Sequence, residues 1–123
     1  MKCLLKITGL LEAGAGLGLL AVPAFVVRLL LGAEISGAAV PLGRVGGAGL
    51  LALGIACWLA QYDDRSCAAR AVISGMVFYN FGAAAVLGIA GVQAQPTGIL
   101  LWPAVILHTG MGIWCIASLL KKP

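Results

Sequence analysis

Four apolar runs, at about residues 3 to 22, 40 to 60, 71 to 91 and 98 to 119, constrain this chain more than anything else in it. Each is close to the ~20 residues that a helix rising about 1.5 Å per residue needs to cross ~30 Å of hydrocarbon. Inside a bilayer every backbone amide and carbonyl must be satisfied within the protein, and for uninterrupted apolar runs of this length that means helices. A water-soluble domain of 123 residues would also need far more polar surface than a chain that is 62% hydrophobic and 10% charged provides. The expectation is an all-α integral membrane four-helix bundle, organised as one domain over residues 1–123.

The first run could continue to Leu31, but an unbroken helix of that length would overshoot the bilayer, and Pro23 falls where a span begun near Cys3 should end. Residues 23 to 32 are therefore read as a kinked continuation or a short interfacial helix, closed by Gly32. The connections are short: GAEISGAA, QYDDRSCAAR and GVQAQPTG. Four crossings put both termini and the middle connection on one side, which carries Lys2, Lys6, Arg65, Arg70, Lys121 and Lys122, against Arg28 and a snorkelling Arg44 on the other. The positive-inside rule makes that side cytoplasmic. Trp58, Tyr62 and Trp114 then lie toward the inner interface and Trp102 toward the outer one, as aromatic belts require.

Several function classes drop out. The basic residues are dispersed, with no run, no interleaved aromatics and no phosphate-binding glycine loop, so nucleic acid is not an expected partner. Cys3, Cys57, Cys67 and Cys115 form no CxxC pair and no metal-ligand spacing with the lone histidine, and all fall toward the reducing inner half, so free thiols are expected. Lys2 and Lys6 before an apolar run resemble a signal peptide, but Glu12 interrupts that run and no small-x-small cleavage site follows. No nucleophile elbow is present, and Ser36, Ser66, Ser74 and Ser118 have no base at helical spacing. The chain has no catalytic motif and is not expected to be an enzyme on its own. Asp63, Asp64, Arg65 and Arg70 read as a solvated turn and helix start.

The informative residues are the few polar groups inside the spans. A guanidinium in hydrocarbon costs roughly 2.5 to 3.5 kcal/mol on insertion scales, so Arg44 near the head of the second span needs an answer, and Glu12 is the first partner to expect. Counting from each midpoint, Glu12, Asn80 and His108 sit near the centres of the first, third and fourth spans. Arg44 lies roughly 9 Å toward the outside, within reach of a long side chain. Residues three, four or seven away from each are small: Gly9 and Gly16, Gly47 and Ala48, Ala83 and Ala84, Ala104 and Gly112. Small faces pack inward in membranes, so these polar groups should converge, with Tyr79 at their border and Met111 and Cys115 on the face of His108. Such a cluster either fixes helix register through its own hydrogen bonds or lines a midplane cavity that holds a ligand or relays protons. Gly14 and Gly18, Gly43 and Gly47, and the series Ala48, Ala52, Ala56 and Ala60 form small-xxx-small ridges expected to pack tightly, within one chain or between copies in a homo-oligomer.

The stretches GLLEAGAGLGLLAVPAFVVRLLLG, RVGGAGLLALGIACWLA, FYN and LWPAVILH resemble the small four-helix proteins of the DoxX-like group. That resemblance implies a bacterial inner-membrane protein, an accessory or ligand-binding subunit of a group in which some members are associated with quinone-linked sulfur or thiol oxidation and many have no assigned activity. The resemblance carries no catalytic residue across. A separate expectation is a membrane subunit of a quinone-linked oxidoreductase that works with a partner subunit at the cytoplasmic loop. No cofactor is expected beyond a quinone or other lipid-soluble ligand. A second family, the small multidrug transporters, shares the four short helices and a first-helix glutamate at which proton and cation compete. In that comparison Arg44 and His108 would neutralise Glu12, which is poor electrostatics for recruiting a cation.

Overall fold

The computed structural model describes residues 1–93 and 96–121. Five α-helices follow one another: α1 (Lys2–Ala21), α2 (Pro23–Leu31), α3 (Ala39–Ala60), α4 (Cys67–Gln93) and α5 (Leu101–Leu120), with a single 3₁₀ turn at Gln61–Asp63. No strand occurs among the described residues. The helices α1, α3, α4 and α5 are each long and apolar enough to cross a membrane.

Two helix starts differ from the sequence expectation, each for a local reason. The third crossing begins at Cys67 because Ser66 caps it: the Ser66 hydroxyl accepts a hydrogen bond from the Ala69 amide at 3.1 Å and donates to the Asp63 carbonyl at 2.8 Å. The fourth begins at Leu101 because the residues before it are committed elsewhere, the Leu100 amide donating to the Leu29 carbonyl of α2 at 3.0 Å. Of the connection read at 91 to 98, Gly91 to Gln93 are still helical. Ala94 and Gln95 lie outside the described residues, as does Lys122 in the charge count.

The helices associate as two antiparallel pairs, α1 with α3 and α4 with α5. The first pair is a backbone-to-backbone seam. A Cβ on Gly16 would sit 2.5 Å from the Leu51 nitrogen and 2.7 Å from the Gly47 carbonyl oxygen, and one on Gly54 only 2.6 Å from the Ala13 nitrogen. The glycines that make this seam, Gly9 and Gly16 facing Gly54 and Gly47, stand seven apart on each helix. That spacing keeps one seam toward a partner in a left-handed crossing. The expected ridge at Gly14 and Gly18 is not the contact: a Cβ on Gly14 would meet nothing within 4 Å, and Ala48 and Ala52 are exposed. The four-residue spacing favours a right-handed crossing, and the α1–α3 contact does not use it.

At one end of the bundle the helix termini close each other. The Lys2 amide donates to Asp64 Oδ2 at 2.8 Å, the N-terminal ammonium lies 3.5 Å from the same oxygen, and Arg70 Nη2 donates to the Leu119 carbonyl at 3.1 Å. A carboxylate at a helix start and a guanidinium at a helix end both suit the helix dipole. Asp64 and Arg70, read from sequence as parts of a solvated turn and helix start, stand in that turn and in the first turn of α4, and each also closes a helix end.

At the other end, α1 stops where Pro23 supplies no amide, and Val22 takes φ −135° and ψ 60° before α2 starts with that proline. The α2 helix ends at Gly32 in the left-handed region, φ 69°. A side chain on Gly98 would overlap the Leu29 carbonyl, so the chain before α5 lies directly on the α2 backbone. This docking holds α2 in a fixed position over the space between the helix pairs.

Candidate ligand cavity

The buried face of α1 is Leu4, Leu5, Thr8, Gly9, Glu12 and Gly16, a run of three- and four-residue steps that puts Glu12 inward. Glu12 is only 6% exposed. The phenol of Tyr79 of α4 lies beside its carboxylate. The next residue on α4, Asn80, is 1% exposed, and its Nδ2 donates to the Met76 carbonyl one turn back at 2.8 Å. The Asn80 Oδ1 faces His108 Nδ1 of α5 at 2.9 Å. The His108 ring meets the Tyr79 ring edge to face, centroids 5.5 Å apart at 83°. Glu12, Tyr79, Asn80 and His108 therefore form one continuous polar group from three helices.

Arg44 is not part of it. The guanidinium is exposed and, among the described residues, makes no ion pair with Glu12. The reason is the seam itself. Gly47 and Gly16 bring the α1 and α3 backbones so close that no long side chain fits between them, and Arg44 is turned outward. Near a helix end it can snorkel to the interface, which removes its need for a buried partner. Tyr79, expected at the border of the cluster, holds the place expected for Arg44.

Above the polar group lies a cavity of about 460 Å³. Among the described residues, Glu12, Tyr79, Asn80 and His108 are its only strongly polar lining; the rest is aliphatic side chains from all five helices and Met111. Val26 and Leu30 of α2 wall one side, and Ala83 and Ala104 leave the space that larger residues would fill. Leu11, Val86 and Leu107 line it and are also exposed on the outside, so the cavity reaches the lipid-facing surface between the helix pairs. Its size lies within the roughly 300 to 1,000 Å³ of small-molecule sites.

Toward the capped end the space is closed by a core of Leu4, Leu5, Cys57, Ile73, Met76 and Cys115. All four cysteines are free, Cys57 and Cys115 buried, Cys3 and Cys67 exposed. Thr8 is 2% exposed, and its Oγ1 has no hydrogen-bond partner among the described residues. The sequence reading missed the part played by α2, whose only signal was Pro23 followed by an apolar turn. It also passed over Thr8, which lies one helical turn from Glu12 on the same face. Among the described residues no group of three or more His, Cys, Asp or Glu side chains stands close enough to hold a metal ion.

These features define a multi-pass, all-helical membrane protein with a polar-ended cavity inside the bundle. Comparison with protein-family models, with curated proteins and with solved structures finds no match for this chain.

Proposed function

We propose that the chain is a small-ligand-binding membrane protein, an accessory subunit of a bacterial inner membrane, that takes a lipid-soluble molecule such as a quinone into the cavity. The observation that carries this reading is the division of the lining: hydrocarbon walls open toward lipid, with every strongly polar group gathered at one end. A bundle whose polar residues served only to fix helix register would have no reason to keep about 460 Å³ beside them. The orientation that accompanies the proposal has both termini cytoplasmic, on the positive-inside excess of Lys2, Lys6, Arg65, Arg70, Lys121 and Lys122. The DoxX-like resemblance favours the same accessory role, a partner subunit would dock at the cytoplasmic turn, and the exposed small residues of α3 leave a face for a homo-oligomer.

Glu12→Gln is the test. In lipid nanodiscs it is expected to weaken binding of a short-chain quinol at least tenfold while moving the thermal midpoint little. A large loss of stability with unchanged binding refutes a ligand role for the carboxylate.

One observation favours a second reading, proton-coupled transport. Glu12 has a phenol and not Arg44 at its side, so the neutralising charge that argued against cation recruitment is not beside it. Proton release on adding a cationic dye to the protein in detergent supports transport; no release with several cations removes it.

A further inference from the structure

The hydrogen bonds at the polar end fix what kind of head group the cavity can receive, and this deepening rests on the ligand-binding reading above. Asn80 is the fixed point of the group. Its Nδ2 donates to the Met76 carbonyl at 2.8 Å, an acceptor that can pair with nothing but a donor, so the amide is oriented and its oxygen faces His108. An amide oxygen only accepts. The hydrogen in the 2.9 Å contact therefore sits on His108 Nδ1. A neutral imidazole has a single N–H, so Nε2 carries a lone pair and has no partner among the described residues.

Asn80 Nδ2 keeps a second hydrogen, but that residue is 1% exposed; His108, half-buried on the cavity lining, has its one N–H committed and presents Nε2 as an acceptor, with the Glu12 carboxylate on the same lining. Apart from Tyr79, the remaining lining is hydrocarbon and the thioether of Met111. We propose that the cavity selects amphiphiles whose head donates a hydrogen bond, a phenol or the reduced, hydroquinone form of a quinone, and discriminates against heads that only accept, such as the oxidised quinone or an aryl ether. A buried acceptor facing another acceptor loses its water without compensation, and sites that read a hydroxyl reject the analogue lacking it. His108 is the residue that reads the head, and Asn80 positions it by holding the proton on Nδ1.

The experiment uses 4-nonylphenol and 4-nonylanisole, which differ only in the donor hydrogen and its methyl replacement. Each is titrated calorimetrically into the protein in lipid nanodiscs, with empty nanodiscs as reference. The phenol is expected to bind at least tenfold tighter than the ether. His108→Phe should bring the phenol down to the ether. Asn80→Leu, which keeps the ring but frees its tautomer, should narrow the ratio below threefold by raising ether binding, an effect that general loosening of the bundle would not produce. Equal affinity of the two probes for the unaltered protein, or tighter binding of the ether, overturns the selectivity and leaves the ligand-binding reading standing. Binding of neither above the empty nanodisc overturns both.

Discussion

Replacing Gly16 by alanine tests the structural basis of the whole arrangement. The added Cβ would stand 2.5 Å from the Leu51 nitrogen, where ordinary van der Waals contact begins at 3.4 Å, and the obstacle is backbone, which has no rotamer to give. The two helices must separate by about 0.9 Å at that point, and a gap of that order forfeits a quarter to a half of each ~0.1–0.2 kcal/mol atom pair along the seam. For on the order of fifty such pairs the loss is about 2 kcal/mol, within the ~1–3 kcal/mol measured for overpacking. In lipid no hydrophobic drive offsets it, because acyl chains solvate the separated faces as well as the partner helix does. Gly14→Ala is the control on the same helix: its Cβ meets nothing within 4 Å, so stability should be unchanged or rise by up to about 1 kcal/mol through helix propensity. Reversible unfolding in mixed micelles, followed by far-ultraviolet circular dichroism, measures both. Because Gly16 and Gly47 face one another, the double variant should cost clearly less than the two single changes together. If Gly16→Ala and Gly14→Ala lie within about 0.5 kcal/mol of each other, the close α1–α3 seam does not exist as described, and the explanation for the outward turn of Arg44 falls with it.

Thr8→Val removes a buried hydroxyl without a partner and should stabilise the bundle by about 1 kcal/mol in the same unfolding assay; a loss of that size would mean the hydroxyl is satisfied after all. Arg44→Leu should leave stability within about 0.5 kcal/mol of the parent, since no buried charge loses its partner, whereas a cost of ~3 kcal/mol or more would restore the Glu12–Arg44 pair. Maleimide labelling in mild detergent should modify Cys3 and Cys67 quickly and Cys57 and Cys115 only after denaturation, read by intact mass; fast labelling of all four would contradict the core packing.

What the sequence determined by itself is the set of crossings. The thickness of hydrocarbon fixes the length of a spanning helix independently of the fold, so apolar run length and the position of Pro23 place helix ends to within a few residues. That Glu12, Asn80 and His108 stand at one level along their helices was legible for the same reason, because rise per residue is constant within a helix. Depth does not give azimuth between helices. Whether Glu12 meets Arg44 or Tyr79 depends on how far each helix is rotated about its axis, and that rotation was decided by the heptad-spaced glycines, which bring α1 and α3 into backbone contact and exclude a long side chain. The cavity, too, belongs to the tertiary structure alone. It exists because Ala15, Ala83 and Ala104 leave space between the α1–α3 and α4–α5 pairs and α2 supplies Val26 and Leu30 as a wall, pinned through Leu29 to the chain before α5 by a long-range hydrogen bond that no local pattern records.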